Sequence, residues 1–379
     1  MDLNSSLYIH IPFCSSFCDY CDFYSVSVNN ISEEYIDAYL FALIEDIKFQ
    51  INYFNIENIP TVYIGGGTPS VLGKKIGILL KKLNSISQFS PFEFTIEANP
   101  ESITKEFLDI CKEGGVTRLS IGVQTLHNKS RMSVNRKGSD PILHNCLSLL
   151  SNVFNSSFSV DLMAGLPFQT EEVIINDIKR VLQYKPCHIS LYSLTLEKET
   201  LLFKKIKNKK IILPDIDTSD TIWMIGQELL VKNEFEHYEI SNFALDGKRS
   251  FHNMRYWQMQ NWIGAGAAAS GTIINEDEKC AKRYTYRNDI DLYIKNPNLN
   301  NAVFEEVDNK TLLKDTLLMG YRLKEGPDEE LFNKRFDLTI EKCIPQSLKK
   351  WKNKNKILFL NKFLSDAFDE LDLIRVNSC

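Results

Sequence analysis

Hydrophobic positions in the first two-thirds of the chain alternate between two patterns. Short apolar or alternating runs occur at Leu7–Ile11, Thr61–Ile64, Phe92–Ala98, Arg118–Val123, Phe158–Met163 and His188–Leu194. Longer stretches with helical spacing follow them at Ser32–Phe49, Val71–Leu83, Thr104–Lys112, Pro141–Val153, Glu171–Gln183 and Thr218–Asn233. Length and period read the first set as strands and the second as helices. Repeated βα units predict a parallel sheet with right-handed crossovers. The expected fold class is α/β, a partial (β/α)6 TIM-like barrel open on one side. Functional residues in such barrels gather at the carboxyl ends of the strands.

The pattern changes after about Phe243. Phe251–Gly271 is aromatic, then rich in glycine and alanine. Asn296–Asn301 is polar with a proline and reads as a linker. Lys310–Leu323 and Asp328–Phe332 read as helices, and Ile357–Leu360 and Leu373–Val376 are short apolar runs. The expected organisation is a barrel core over 1–240, an extension over 241–300, and a small, mainly helical domain of winged-helix type over 301–379. Internal repeats and extended low-complexity segments are absent from the sequence.

Composition narrows the function. The 379 residues are 44% hydrophobic, enough for a substantial core. A net charge of −5 argues against a general nucleic-acid binder. The basic stretch Lys204–Lys210 reads as a solvated loop. Met1–Ser6 lacks the layout of an export signal, and no run approaches the ~20 apolar residues of a membrane span. A cytoplasmic protein without a transmembrane segment is expected. The nine cysteines are then thiols or metal ligands rather than disulfides. Cys111, Cys146, Cys187, Cys280, Cys343 and Cys379 are scattered and read as mostly buried small side chains.

Cys14, Cys18 and Cys21 are different. Their CxxxCxxC spacing puts three thiols on one short loop just after the first strand. A closed zinc or ferredoxin site wants four ligands. A zinc site completed by His10 and a chance cluster are the alternatives to an open iron–sulfur cluster. Other motifs fall at strand ends. Gly65-Gly66-Gly67-Thr68-Pro69 follows the second strand and removes side chains where backbone approaches something closely. It fits neither a P-loop nor a dinucleotide fingerprint. Glu97 ends the third strand, Gln124 the fourth, and Arg136 follows as a candidate carboxylate clamp. Asp161 lies inside an apolar strand and requires a ligand or a buried donor. Finally, Phe251-His252-Asn253-Met254-Arg255-Tyr256-Trp257 places a histidine among aromatics and an arginine. That suits a planar anionic macrocycle such as haem, although on the heptapeptide alone a core or surface histidine near an aromatic cluster is the more ordinary reading.

Taken in order, these motifs resemble the radical S-adenosylmethionine (SAM) family of oxygen-independent coproporphyrinogen III oxidases and their relatives. The resemblance runs from about Tyr8 to Gly271 and rests on Tyr8–Cys14, the GGGTP tract, Leu119–Gln124, and Asp161–Met163 with Gly165-Leu166-Pro167. It implies a [4Fe–4S] cluster on Cys14, Cys18 and Cys21 with one iron left open. SAM would chelate that iron and give a 5′-deoxyadenosyl radical on reduction. The resemblance implies SAM contacts at Tyr8, Tyr20, Gly66, Gly67, Thr68, Glu97, Gln124, Arg136 and Asp161.

The oxidases of this family carry a further cysteine in a Cys-Gly-Cys ending, where this chain has Cys21-Asp22-Phe23. They also have a longer segment before the first strand. The HemW-type haem-chaperone branch carries an HNxxYW signature, matched by His252–Trp257. The chaperone branch is therefore expected, with haem at His252, Tyr256 and Trp257. One departure is Ser270, where the family usually has a histidine. The implied partners are haem, respiratory haem-acceptor proteins at the membrane surface, and a flavodoxin or ferredoxin as electron donor. The alternative is an enzyme that oxidatively decarboxylates coproporphyrinogen III, or a radical SAM enzyme with another substrate.

Overall fold

The two faces of each barrel strand carry opposite chemistry, and this decides the architecture. The computed structural model describes residues 3–155, 157–352, 356 and 358–373. Six parallel strands form its centre: β1 (Ser6–Ile11), β2 (Ile56–Gly66), β3 (Phe89–Ala98), β4 (Arg118–Gln124), β5 (Phe158–Ala164) and β6 (His188–Ser193). Leu7, Ile9, Ile11, Val62, Ile64, Phe94, Ile96, Leu119, Ile121, Val160 and Leu162 belong to one fully buried core that includes residues of the surrounding helices. Each such side chain contributes roughly 1.5–3 kcal/mol on burial. The alternate positions are polar or aromatic, among them Ser6, Tyr8, Thr61, Tyr63, Glu97, Ser120, Asp161 and Tyr192. They face one another across the barrel interior, which is therefore a polar lumen.

The six expected helices pack outside, with two short ones, Asn128–Ser133 and Leu201–Lys207, that the sequence reading did not include. They are α1 (Glu33–Tyr53), α2 (Lys75–Leu83), α3 (Lys105–Glu113), α4 (Asn128–Ser133), α5 (Asp140–Phe154), α6 (Glu171–Leu182), α7 (Leu201–Lys207) and α8 (Ile216–Lys232). Ser32, Thr104, Thr170, Thr200 and Asp215 cap their helices by accepting a backbone N–H. Helix α7 occupies part of the basic stretch read as a solvated loop.

The sheet does not stop at six strands. Beyond β6 lies antiparallel β7 (Asn242–Ala244). Beyond β1 lies parallel β8 (Trp262–Ala265), then antiparallel β9 (Ser270–Asn275), β10 (Cys280–Tyr286) and β11 (Ala302–Val307). The segment read as a linker, Asn296–Asn301, is a turn that joins α10 (Ile290–Lys295) to β11, a further strand of the same sheet. Proline and asparagine clusters signal a turn without saying what it joins.

Helices α11 (Asn309–Gly320), α12 (Glu329–Phe336), α13 (Ile340–Cys343), α14 (Pro345–Trp351) and α15 (Leu360–Leu373) share a second core around Leu312, Leu317, Phe332, Trp351 and Phe363. This is the expected helical unit, but among its described residues no strand hairpin forms a wing. Leu360 opens α15 instead. Ile357, and the run Leu373–Val376 after its first residue, lie outside the described residues, as does Cys379. The helical unit is fastened by Ile240 N–H to Arg322 O (3.1 Å), Lys324 N–H to Tyr238 O (3.0 Å), and buried Arg335 on Glu276 (2.8 and 3.0 Å).

Candidate functional site

The cysteine loop leaves β1 at the top of the barrel and is stitched to its neighbours by backbone bonds. Gly67 N–H donates to Ile11 O and Thr68 N–H to Phe13 O, both at 2.8 Å. Asp19 N–H donates to Val134 O (3.0 Å), and Leu202 N–H to Asp19 O (2.7 Å). Loops after β1, β2, β4 and β6 thus meet around the three thiols. Cys14 Sγ lies 3.5 Å from Thr68 Oγ1, and Arg136 Nη1 donates to Cys18 Sγ at 3.4 Å. Burial holds the Cys14 thiol above its ordinary range and pushes Cys21 up to about 11. A bound metal displaces such protons.

The zinc alternative does not survive. His10 is buried with both ring nitrogens engaged, by the Tyr8 hydroxyl (3.0 Å) and Tyr24 O (3.1 Å). Among the described residues no three metal-ligating side chains converge on one ion position. Thiolates bound to separate irons of a cluster need not do so.

The glycine tract is small for reasons the structure supplies. A Cβ on Gly65 would strike the Glu97 carboxylate at 2.9 Å. On Gly66, which sits at φ +110°, it would strike the His10 ring at 2.5 Å, and on Gly67 the Phe13 carbonyl at 2.7 Å. The tract therefore lets the cysteine loop, His10 and Glu97 close on the end of β2.

Glu97 receives the Tyr63 hydroxyl (2.7 Å) and Gly66 N–H (3.1 Å). Burial, then the nearby charge of Asp161, pushes it up to about 7 against those two hydrogen bonds. Tyr8 stacks on Tyr63 with ring centroids 6.4 Å apart. Asp161 accepts from Ser120 Oγ (3.2 Å) and is also hydrogen-bonded by Ser190, so a buried donor answers its need. Burial raises it too. Glu97, Asp161 and Gln124 are surrounded by protein yet partly reached by solvent.

Two polar atoms at this mouth are buried without a partner: Gln124 Oε1 and Arg136 Nε. Gln124 adopts φ +66° where β4 shifts register, which turns it away from the ladder. Arg136 spends Nη2 on Asn99 Oδ1 (2.6 Å) and Gly122 O. Gly122 makes room for it, since a Cβ there would lie 2.7 Å from Nη2. Tyr20 packs beside them with Val134, Leu166 and Leu202, and shares a hydrogen bond with Cys18. An unpaired acceptor, an unpaired guanidinium N–H, a carboxylate and three thiols at one opening fit a cluster and a zwitterionic nucleoside.

His252, Tyr256 and Trp257, where the resemblance put haem, lie elsewhere. They belong to α9 (Phe251–Trp257), which closes the opposite end of the barrel. Glu93 accepts N–H bonds from Phe251 (3.0 Å) and His252 (2.7 Å), placing a carboxylate on the helix N-terminus. His252 is 0% exposed. Thr61 Oγ1 gives its hydrogen to Ser6 Oγ (2.8 Å), so His252 Nδ1–H donates to Thr61 (3.0 Å). Tyr256 O–H then donates to Nε2 at 2.9 Å. No lone pair remains for iron. Trp257 lies under the Arg322 guanidinium, 4.6 Å from its centroid, at the seam with the helical unit.

Three features escaped the sequence reading. Arg131 is buried and donates to the carbonyls of Val123, Thr125 (2.9 Å), Gly138 (3.0 Å) and Lys137, holding the loop that carries Arg136. Asp177 on α6 accepts Thr125 Oγ1 and Leu126 N–H (3.0 Å). Asp46 on α1 accepts Tyr286 and Tyr293 hydroxyls (2.6 Å each) and Gln50 Nε2 (2.9 Å). A charged residue at a core position of helix spacing was the available signal for Asp46 and Asp177. Ser270, in place of the family histidine, bonds Thr285 Oγ1 at 2.8 Å.

Comparison with known proteins agrees with this geometry. Residues 8–181 match the family model described as the Radical SAM superfamily. HemW of Lactococcus lactis, named a heme chaperone, is 33% identical over 349 residues, covering 91% of this chain and 88% of that protein. HemW of Escherichia coli is 34% identical over 274 residues, 72% of this chain and 71% of that one. The solved coproporphyrinogen III oxidase HemN of Escherichia coli superposes with a TM-score of 0.78 at 21% identity, covering 97% of this chain and 90% of that one. That last likeness concerns the fold. On identity and coverage, the chain belongs to the HemW family of the radical SAM superfamily.

Proposed function

We propose that this chain is a haem chaperone that carries a [4Fe–4S] cluster and SAM at the top of its barrel and passes haem to acceptor proteins. The observation that carries the cofactor part is the convergence of three thiols, Arg136 and the unpartnered Gln124 at one mouth. The haem part rests on the relatives named heme chaperones and on Cys21-Asp22-Phe23, which lacks the fourth cysteine.

Cys14, Cys18 and Cys21 hold the cluster. Gly66 and Gly67 offer carbonyl oxygens to an ammonium group, since the N–H groups of Gly66 and Gly67 are already committed. Glu97, once ionised, faces the cationic part of SAM. Arg136 and Gln124 offer a donor and an acceptor to its carboxylate and ribose. Thr68 steadies Cys14, Tyr20 covers the adenine side, and Tyr8 and Asp161 line the lumen below. When bound and reduced, this pair of groups supplies one-electron chemistry at the sulfonium. A flavodoxin or ferredoxin is the donor class that this requires.

No helix among the described residues is long and apolar enough to cross a membrane. We place the chain in the cytoplasm, visiting the membrane surface to meet respiratory haem acceptors. The barrel core (1–240) carries the cofactors, the 241–300 extension closes the barrel, and the 301–379 unit braces that closure.

The test is an anaerobic haem titration of the cluster-reconstituted chain, read in the Soret band. Stoichiometric binding followed by transfer to an apo-haem acceptor is the expected result. No binding, together with SAM-dependent loss of carbon dioxide from coproporphyrinogen III, would replace the proposal with the oxidative decarboxylase.

A further inference from the structure

With His252 enclosed, haem needs another way to be held, and one histidine offers it. Between the loops that follow β4 and β5 lies an open groove of about 570 Å³, lined by His127, Asn128, Lys129, Met132, Ser133 and Phe168. It opens on the same barrel end as the cysteine loop. We propose that this groove is where haem docks, with His127 Nε2 as the iron ligand. The proposal rests on the haem-chaperone reading and gives it a site.

The tautomer of His127 follows from its neighbours. Ser130 is buried and gives its one hydroxyl hydrogen to Pro167 O at 2.7 Å. Its oxygen can then only accept from His127, whose Nδ1 lies 2.9 Å away. Nδ1 therefore carries the hydrogen and Nε2 the lone pair. A hydrogen bond that fixes the far nitrogen is what orients a metal-binding imidazole. His252 has the same tautomer, but the Tyr256 hydroxyl consumes its Nε2. His127 Nε2 has no partner among the described residues.

The rest of the groove suits a metalloporphyrin. Met132 is 72% exposed and Phe168 48% exposed, so both present polarisable apolar surface to solvent. Phe168 does so from φ +62°, a left-handed conformation that is unfavourable for a non-glycine residue. An exposed ring held at that cost adds nothing to the core. Lys129 Nζ stands 4.1 Å from the centre of that ring, where it can meet a propionate. Among the described residues no carboxylate lines the groove to repel one. Imidazole for the iron, an aromatic and a thioether for the ring, and an ammonium for the acid edge are the three chemistries that haem presents. The groove is open, as a carrier that must release its cargo requires.

Ferric haem should be titrated anaerobically into the cluster-reconstituted full chain, comparing wild type with His127→Ala, His127→Gln, Ser130→Ala and His252→Phe. His127→Ala and His127→Gln should lose the Soret shift or weaken binding at least tenfold. Free imidazole should restore the band position in His127→Ala. Ser130→Ala should weaken binding on the order of tenfold, as loss of an orienting partner does. His252→Phe should keep the wild-type band. If wild type binds and both His127 variants match it in band and affinity, the site is overturned while the chaperone reading stands. If wild type itself shows no shift, both fall.

Discussion

The Asp19 carboxylate, inside the cysteine loop, is paired with the Lys205 ammonium on α7. Asp19 sits between Cys18 and Cys21 with its side chain 4% exposed, whereas Lys205 is open to solvent along one side. The helix that follows the sixth strand therefore reaches across the barrel mouth and holds the loop by a side-chain ion pair and by the Leu202–Asp19 backbone bond. A run of lysines is most often a solvated face. Here one of them is turned inward by the loop it meets.

Lys205→Met should leave the buried Asp19 carboxylate without its cation. Such a pair, partly open to water, is worth about 1–2 kcal/mol after screening. We expect lower iron content after reconstitution and faster cluster loss, with the rest of the fold unchanged by circular dichroism. Lys205→Arg should recover most of the wild-type retention. Equal retention half-lives in Lys205→Met and wild type would show that the backbone bonds alone hold the loop.

Glu97 gives the lumen a pH dependence. Its folded value near 7 lies above the usual carboxylate range. Because it is raised, the neutral form is favoured inside the protein below that value, and ionisation proceeds as pH rises through about 7. A cationic ligand binds better to the ionised form. SAM affinity, measured by calorimetry on the reconstituted chain, should therefore increase from pH 6 to pH 8. Glu97→Gln should bind more weakly and lose that slope. A slope retained by Glu97→Gln would assign it to another group.

The central barrel was legible because its strands and helices obey their own periods, with Ser32 and Thr104 marking helix starts. The cysteine loop and glycine tract were legible because few chemistries want them. The purpose of the glycines was not, because it depends on His10 and Glu97, which only the fold brings to Gly66 and Gly65. The added strands from Trp262 to Val307, one parallel to β1 and the rest antiparallel, were missed for a similar reason. Gly264, Gly266 and Gly271 dilute any hydrophobic period, and their smallness is set by Ser270, Tyr39 and Tyr284 packed against them. The HNMRYW signature was found, and of its two readings the buried histidine in an aromatic cluster is the environment that the fold supplies. Sequence spacing could not tell that Thr61 and Tyr256 would consume both nitrogens of His252.

Asp46 joins α1 to β10 and α10 through two tyrosine hydroxyls, and burial pushes it up to about 6. A raised carboxyl contributes stability that is present below its unfolded value near 4 and is lost as pH rises through about 6. That change is on the order of 3 kcal/mol. Asp46→Asn cannot ionise, so its deficit relative to wild type should be greatest at about pH 4 and should shrink by roughly that amount by pH 7. Urea unfolding at the two pH values measures it. A deficit independent of pH would mean that Asp46 ionises freely in the folded chain.

His252 provides the opposite sign and separates structure from ligand binding. Burial, helped by the Arg255 charge, depresses it to about 3, so it is neutral in the folded chain at any ordinary pH. Its contribution is complete above the unfolded value near 6.5 and is lost as pH falls through about 3. Between those values stability should decline by up to ~1.4 kcal/mol per pH unit from this group alone. His252→Ala strands the Thr61 and Tyr256 hydroxyls and should cost about 2–4 kcal/mol at pH 7, with the acid slope reduced. Because the ring closes the barrel and faces no solvent, the surviving folded fraction should still bind haem with the wild-type Soret maximum. Loss of the haem band at full retention of stability would instead make His252 the ligand, and would require α9 to leave the barrel when haem binds.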